Sequence, residues 1–204
     1  MDFVKLNFVT QKFFVNSKVL NIKMVNSGII NKTYIVEHLY NGIKSKFILQ
    51  SLSNVFESHE ILIRNHQLVT NHIIKRINNN FLDFEGKRWE VPTLIRCESN
   101  NLFSFSYDSV VWRAMSYIED TFNLDFLEDQ IISYQTGLGL SKFHLLCSDL
   151  DRSKLGEGIK NFHNTQYYLD QYSFILKDYN LNKLDDEVRK RVNELIYYLS
   201  KHIG

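Results

Sequence analysis

Cysteine is nearly missing from this chain of 204 residues: only Cys97 and Cys147 occur, far apart and without C-x-x-C spacing. That scarcity argues against a disulfide framework or a zinc site and suits a reducing compartment. Proline occurs once, as Pro92, and no stretch reads as a low-complexity linker or an internal repeat. No apolar run approaches the roughly 20 residues of a membrane span. The N-terminus, M-D-F-V-K-L-N-F-V-T-Q, is too interrupted by charged and polar residues for a signal peptide. An excess of one charge is also missing. The 24 basic and 23 acidic side chains leave a net charge of +1 with no basic run, which removes the electrostatic support for a nucleic-acid partner. What remains is a chain with 44% hydrophobic and 14% aromatic residues, too apolar for disorder and long enough to bury a core in one domain or two small lobes. The expectation is a soluble, cytoplasmic protein with no membrane contact.

The order of elements carries more information. Phe3, Leu6, Val9/Thr10 and Phe13 recur at helical spacing. Val19 to Val25 alternates as a half-buried strand, followed by Gly28 in a loop. Two further strands follow, around Thr33 and Ile35 and over Lys46 to Gln50, with Asn41-Gly42 between them supplying the φ > 0 positions of a tight hairpin. Asn54 reads as an N-cap with Glu57 in capping-box position, opening a helix whose face carries Val55, Leu62, Val69 and Ile73 and which reaches about Asn78. Val91 to Arg96 and Val110 to Ile118 read as two more strands joined around Ser99-Asn100-Asn101, with Pro92 tolerated at a strand start. After Thr121 the pattern is helical. Leu127, Ile131, Tyr134, Leu138 and Leu145 share a rhythm, with Gly137 and Gly139 allowing a close neighbour. Tyr168, Tyr172, Ile175 and Tyr179 mark another helix, and Asn182 caps a last one, with Asp185, Asp186 and Glu187 in its first turn and Lys201 and His202 in its last. The predicted class is α+β: a five-stranded antiparallel sheet with one long helix over 1–119, then helices over 120–204.

Five collinear stretches resemble the aminoglycoside phosphotransferase/choline kinase family, and within it the N-acetylhexosamine 1-kinase-like branch. They are G-I-I-N-K-T-Y-I-V (28–36), K-F-I-L-Q-S-L-S-N-V-F (46–56), V-W-R-A-M-S-Y-I-E-D-T (111–121), L-S-K-F-H-L-L-C-S-D-L-D (140–151) and N-F-H-N-T-Q-Y-Y-L (161–169). The resemblance implies a protein-kinase-like N-terminal lobe followed by an incomplete helical lobe, and ATP and Mg²⁺ as cofactors. The reaction it implies is transfer of the γ-phosphoryl group to a hydroxyl of a small molecule, here a sugar. Gly28, Asn31 and Thr33 would lie in the phosphate-covering loop. Met115, Ser116, Tyr117, Ile118 and Glu119 would form the connector whose backbone meets the adenine edge, although Met115 and Tyr117 serve equally well as core. The family's ATP-directed lysine falls on Gln50, which can donate a hydrogen bond but supplies no charge. Lys46, on the same strand face, is either a partial substitute or a solvated lysine. Glu57 and Glu60 read as surface carboxylates, since Gln50 leaves them no lysine to pair with.

Phosphoryl transfer also needs a carboxylate for the acceptor hydroxyl and ligands for Mg²⁺. Two residues after the seven histidines come Tyr40, Ile61, Leu68, Ile74, Leu146, Thr165 and Gly204, so the family's H-x-D-x-x-x-x-N loop is absent and no catalytic residue is assigned. Asp149-Leu150-Asp151 has D-x-D spacing but reads first as a helix-end polar turn. His144 and His163 read as structural, and Asp125 as a helix-start acid. Three readings stand: one part of a split or truncated enzyme, a remnant that still folds, or a non-catalytic nucleotide-binding or interaction module. Tyr168, Tyr172, Phe174, Tyr197 and Tyr198 would then offer a surface for self-association or for a complementary C-terminal fragment. The acceptor stays open.

Overall fold

The computed structural model describes the chain except for residues 1–2, 26–27, 123, 125, 128, 179–184 and 203–204, and except for the side chains of 176–178, 199, 200 and 202. It forms two compact units, 1–160 and 161–204. The first is built on an antiparallel sheet of six strands: β1 (Lys18–Val25), β2 (Lys32–Tyr40), β3 (Ile43–Ser51), β4 (Leu94–Ile95), β5 (Phe105–Tyr107) and β6 (Val110–Ser116), in the order β1-β2-β3-β6-β4 with β5 also on β6. The α+β class therefore stands, with one strand more than the five expected. The extra one, β5, has only three residues, too few to show alternation. It is set by a two-residue turn at Asp108-Ser109, both at positive φ, which pairs Tyr107 with Val110. The strand expected over 91–96 shrinks to Leu94–Ile95, because Pro92 has no N–H to give. The Asn41-Gly42 hairpin forms as expected, with φ of 51° and 78° and Tyr40 paired to Ile43.

Helix α1 (Phe3–Phe13) covers one sheet face. Leu6, Val9 and Phe13 pack with Tyr34, Val36, Phe47, Leu49, Trp112 and Ala114. The alternation expected of β1 fails in part: a bulge between Val19 and Asn21 shifts the register, so Ile22 is buried while Leu20 and Met24 stay exposed. Helix α2 (His59–Asn78) starts later than Asn54. Its N-cap is Ser58, whose hydroxyl accepts from the Ile61 N–H, while the Glu57 N–H is taken by the Gly158 carbonyl. Of the expected face Ile73 is buried, now with Ile63, Thr70 and Arg76 beside it, and Val55 is exposed.

Helix α3 (Gln130–Leu146) is capped by Asp129, so Leu127 of the expected helical rhythm lies before it. A Cβ added at Gly137 or Gly139 would have nothing within 4 Å, so neither glycine accommodates a neighbour there. A close approach occurs instead at Gly156, in the loop that follows α3. Asn65 on α2 holds both backbone groups of Gly156, donating to its carbonyl (2.7 Å) and accepting from its N–H (3.1 Å). A Cβ there would come within 2.8 Å of Ile61 Cγ2. Gly156→Ala is expected to destabilise the chain by about 1–2 kcal/mol, the overpacking cost less the unfolded-state entropy gain. Gly137→Ala should stabilise it by up to about 1 kcal/mol. Thermal denaturation of both variants checks the opposite signs.

In the second unit, α4 (Thr165–Asp178) is capped by Asn164, whose side chain accepts from the Tyr167 N–H. Helix α5 (Asp186–His202) has Asp185, not a first-turn residue, accepting from the Glu187 N–H. The expected Tyr179 and Asn182 lie outside the described residues, as does Asp125. No helix among the described residues is long and apolar enough to cross a membrane.

Candidate functional site

Pleating puts Phe47, Leu49 and Ser51 of β3 on the α1 side, which leaves Ile48 and Gln50 for the other face. Register then decides what meets Gln50: Thr33 on β2 and Arg113 on β6 are its cross-strand partners. The Gln50 amide Nε2 donates to Thr33 Oγ1 at 2.8 Å, and its Oε1 accepts from Arg113 Nε (2.9 Å) and Nη2 (2.7 Å). The glycine loop joins this group. A Cβ on Gly28 would lie 3.9 Å from Thr33 Oγ1 and 3.1 Å from the Asn31 carbonyl, which is a tight approach. Asn31 Oδ1 accepts from the Ser53 N–H and ties the loop to the segment leading into α2. Four expected residues from separate segments, Gly28, Asn31, Thr33 and Gln50, thus adjoin one another.

Arg113 is the residue that sequence reasoning missed. A charged side chain between Trp112 and Ala114 was the available signal, because both neighbours are buried. The guanidinium lies between the sheet and α2, its Nη1 3.3 Å from His66 Nδ1, and burial pulls its pKa down to about 10. It remains a cation at neutral pH. His66 Nε2 lies 2.7 Å from the Pro92 carbonyl, so Nε2 carries the proton and the neutral Nδ1 accepts from Arg113. Burial lowers the His66 pKa, and the Arg113 charge lowers it further against the opposing Pro92 hydrogen bond.

Lys46 does not supply the charge missing at Gln50. Its ammonium pairs with Glu119 at 3.2 Å and sits 5.1 Å from the centre of the Tyr117 ring. Glu119 is thereby occupied, and its carbonyl accepts from Arg88. Met115 is buried opposite Ile48. Ser116 is bound to Thr93 three times: its N–H donates to the Thr93 carbonyl, and its hydroxyl meets both the Thr93 N–H and Oγ1. Ser116, Tyr117 and Ile118 line a cavity of about 300 Å³ together with Ile74, Ile77 and Trp89. That volume is at the lower end for small-molecule sites.

The hydrogen-bonded side chains Gln50, Thr33, Arg113 and His66 include no carboxylate for Mg²⁺. Among the described residues no group of three or more His, Cys, Asp or Glu is placed to hold a metal. Asp149 instead accepts from His72 (3.0 Å) and Arg76, while Asp151 accepts from the Ser153 N–H and hydroxyl at the start of a 3-10 turn, Arg152–Lys154. The Ser153 hydroxyl and Lys154 hold the Asp151 carboxyl below the usual carboxylate range. Glu57 and Glu60 are exposed, as are His144 and His163.

No family model matches the chain.

Proposed function

We propose that the sheet and α2 form a nucleotide-binding lobe of the kinase type, and that these residues bind the nucleotide without transferring its phosphate. The observation that carries the reading is the Gln50–Thr33 hydrogen bond beside the Gly28 loop. It brings the strand position of the expected lysine against the segment expected to cover the phosphates. Arg113 restores beside Gln50 the positive charge that glutamine lacks. The cavity at Ser116–Ile118 adds a half-apolar wall at the expected adenine end. Transfer is a separate matter. With no H-x-D in the 204 residues and no metal-suited carboxylate group among the described ones, a carboxylate from elsewhere would have to handle an acceptor proton. A hexosamine-type acceptor follows from the resemblance alone.

Calorimetry tests binding directly. Titration of the chain with ATP is expected to give saturable heat both with and without Mg²⁺. A coupled assay with ATP, Mg²⁺ and N-acetylhexosamine is expected to give no turnover. Absence of heat at millimolar nucleotide overturns the nucleotide reading, and ordinary turnover by the purified chain overturns the second half.

A further inference from the structure

We propose that Arg113, framed by Gln50 and His66, is an oxyanion site that takes a phosphate group, either from the polyphosphate of a nucleotide or from free pyrophosphate. The nucleotide source rests on the reading above; the anion site rests on the surroundings of the guanidinium. Among the described residues the two hydrogen-bond partners of Arg113 are neutral acceptors, Gln50 Oε1 and His66 Nδ1. No carboxylate among the described residues comes within ion-pair distance of it. Arg76 on α2, which is buried where Arg113 is half-buried, is treated differently: it is met by Asp149. A cation withdrawn from water without a counter-charge is costly unless an anion completes it.

The free N–H groups suit an oxyanion, and the adjoining Gly28 loop is the reason phosphate is the one proposed. A guanidinium has five N–H groups in a planar fork. Three are engaged here, one at Nε, one at Nη2 and one at Nη1. One N–H on each terminal nitrogen is left to donate to the oxygens of a phosphate. Gln50 and His66 fix the plane of the fork before any ligand arrives, which lowers the ordering cost of binding. Arg113 is half-buried rather than sealed in the core. On the sheet it stands one strand beyond Gln50, and Gln50 in turn touches the Thr33 side of the glycine loop. The positive charge has moved from β3 to β6 across a single cross-strand pair.

The experiment titrates the full chain with sodium pyrophosphate, and separately with adenosine, against sodium chloride of matched ionic strength. Wild type is expected to bind pyrophosphate, Arg113→Met to lose at least tenfold in affinity, and Arg113→Lys, which keeps charge but not the fork, to fall between them. Circular dichroism and melting in chloride establish that each variant folds. Should Arg113→Met not fold, the ring protons of His66 in the wild type give the second readout, and pyrophosphate but not chloride is expected to shift them. Pyrophosphate binding no better than chloride, an unaltered affinity in folded Arg113→Met, or an unmoved His66 ring overturns the proposal. Adenosine bound without pyrophosphate leaves the nucleotide reading and removes the Arg113 site. Pyrophosphate bound without adenosine does the reverse.

Discussion

Phe47→Ala is expected to cost about 3–5 kcal/mol, enough to bring a protein of ordinary stability close to its folding threshold. The Phe47 ring has 1% of its surface exposed and lies 4.8 Å from the Phe14 ring centre and 5.0 Å from that of His38. Removing it leaves a void under β3 that Leu49 and Val36, themselves sealed in the same core, are poorly placed to fill. The fall in melting temperature should be on the order of 10 °C. By contrast Ile29→Ala, at a side chain wholly in solvent, should stay within about 0.5 kcal/mol. The effect is local in an informative way. Phe47 and Gln50 sit on opposite faces of one strand, so a softened β3 also loosens the Gln50–Arg113 pair. A phosphate ligand should bind Phe47→Ala more weakly even at temperatures where the variant is folded. Urea denaturation followed by pyrophosphate titration separates the two effects.

Acid is expected to unfold the chain earlier than its carboxylates alone would require. His38 sits among Phe14, Tyr40 and Phe47, with Nε2 3.0 Å from Ser45 Oγ and a buried Nδ1 that finds no hydrogen-bond partner among the described residues. Burial lowers its pKa from the ordinary 6.5. His66 is lowered too, chiefly by burial and then by Arg113. Each ring therefore takes up a proton more readily in the unfolded chain than in the folded one. Above pH 6.5 both states hold it neutral and its contribution to stability is complete. As pH falls from 6.5 through the lowered folded value the unfolded state gains protons first, and that contribution is lost. The denaturation midpoint should hold level from pH 8 to 7 and drop between pH 6.5 and 5. His38→Gln should flatten the drop. A wild-type midpoint level down to pH 5 would show that neither ring is held neutral by the fold.

Which parts of this were visible in the sequence follows from the range of the interactions involved. The Asn41-Gly42 hairpin was legible because two adjacent residues must adopt positive φ, a requirement written in their own chemistry. Gln50 was legible by its place in F-I-L-Q. Arg113 was not, because its role exists only once β3 and β6 pair and Gln50 finds it across the ladder; within V-V-W-R-A-M it looks like an outward-facing residue. The start of α2 was misplaced for a similar reason. Asn54 and Glu57 have the right types at the right spacing, but Gly158, a hundred residues on, takes the Glu57 N–H, and Ser58 is left to cap the helix. The Lys46–Glu119 pair also joins residues far apart in sequence, and no local rule would have drawn Lys46 away from Gln50.

The bulge between Val19 and Asn21 has a consequence for how molecules of this protein meet. Among the described residues strand β1 pairs with β2 alone, so its other side presents backbone donors and acceptors that an incoming chain could extend into a fibril. The break in register interrupts that row, and the exposed lysines 18 and 23 charge it. At the far margin β4 has two residues, too few to template another strand. Both rims of the sheet are thus blunted against strand-by-strand aggregation, one by irregularity and charge, the other by brevity.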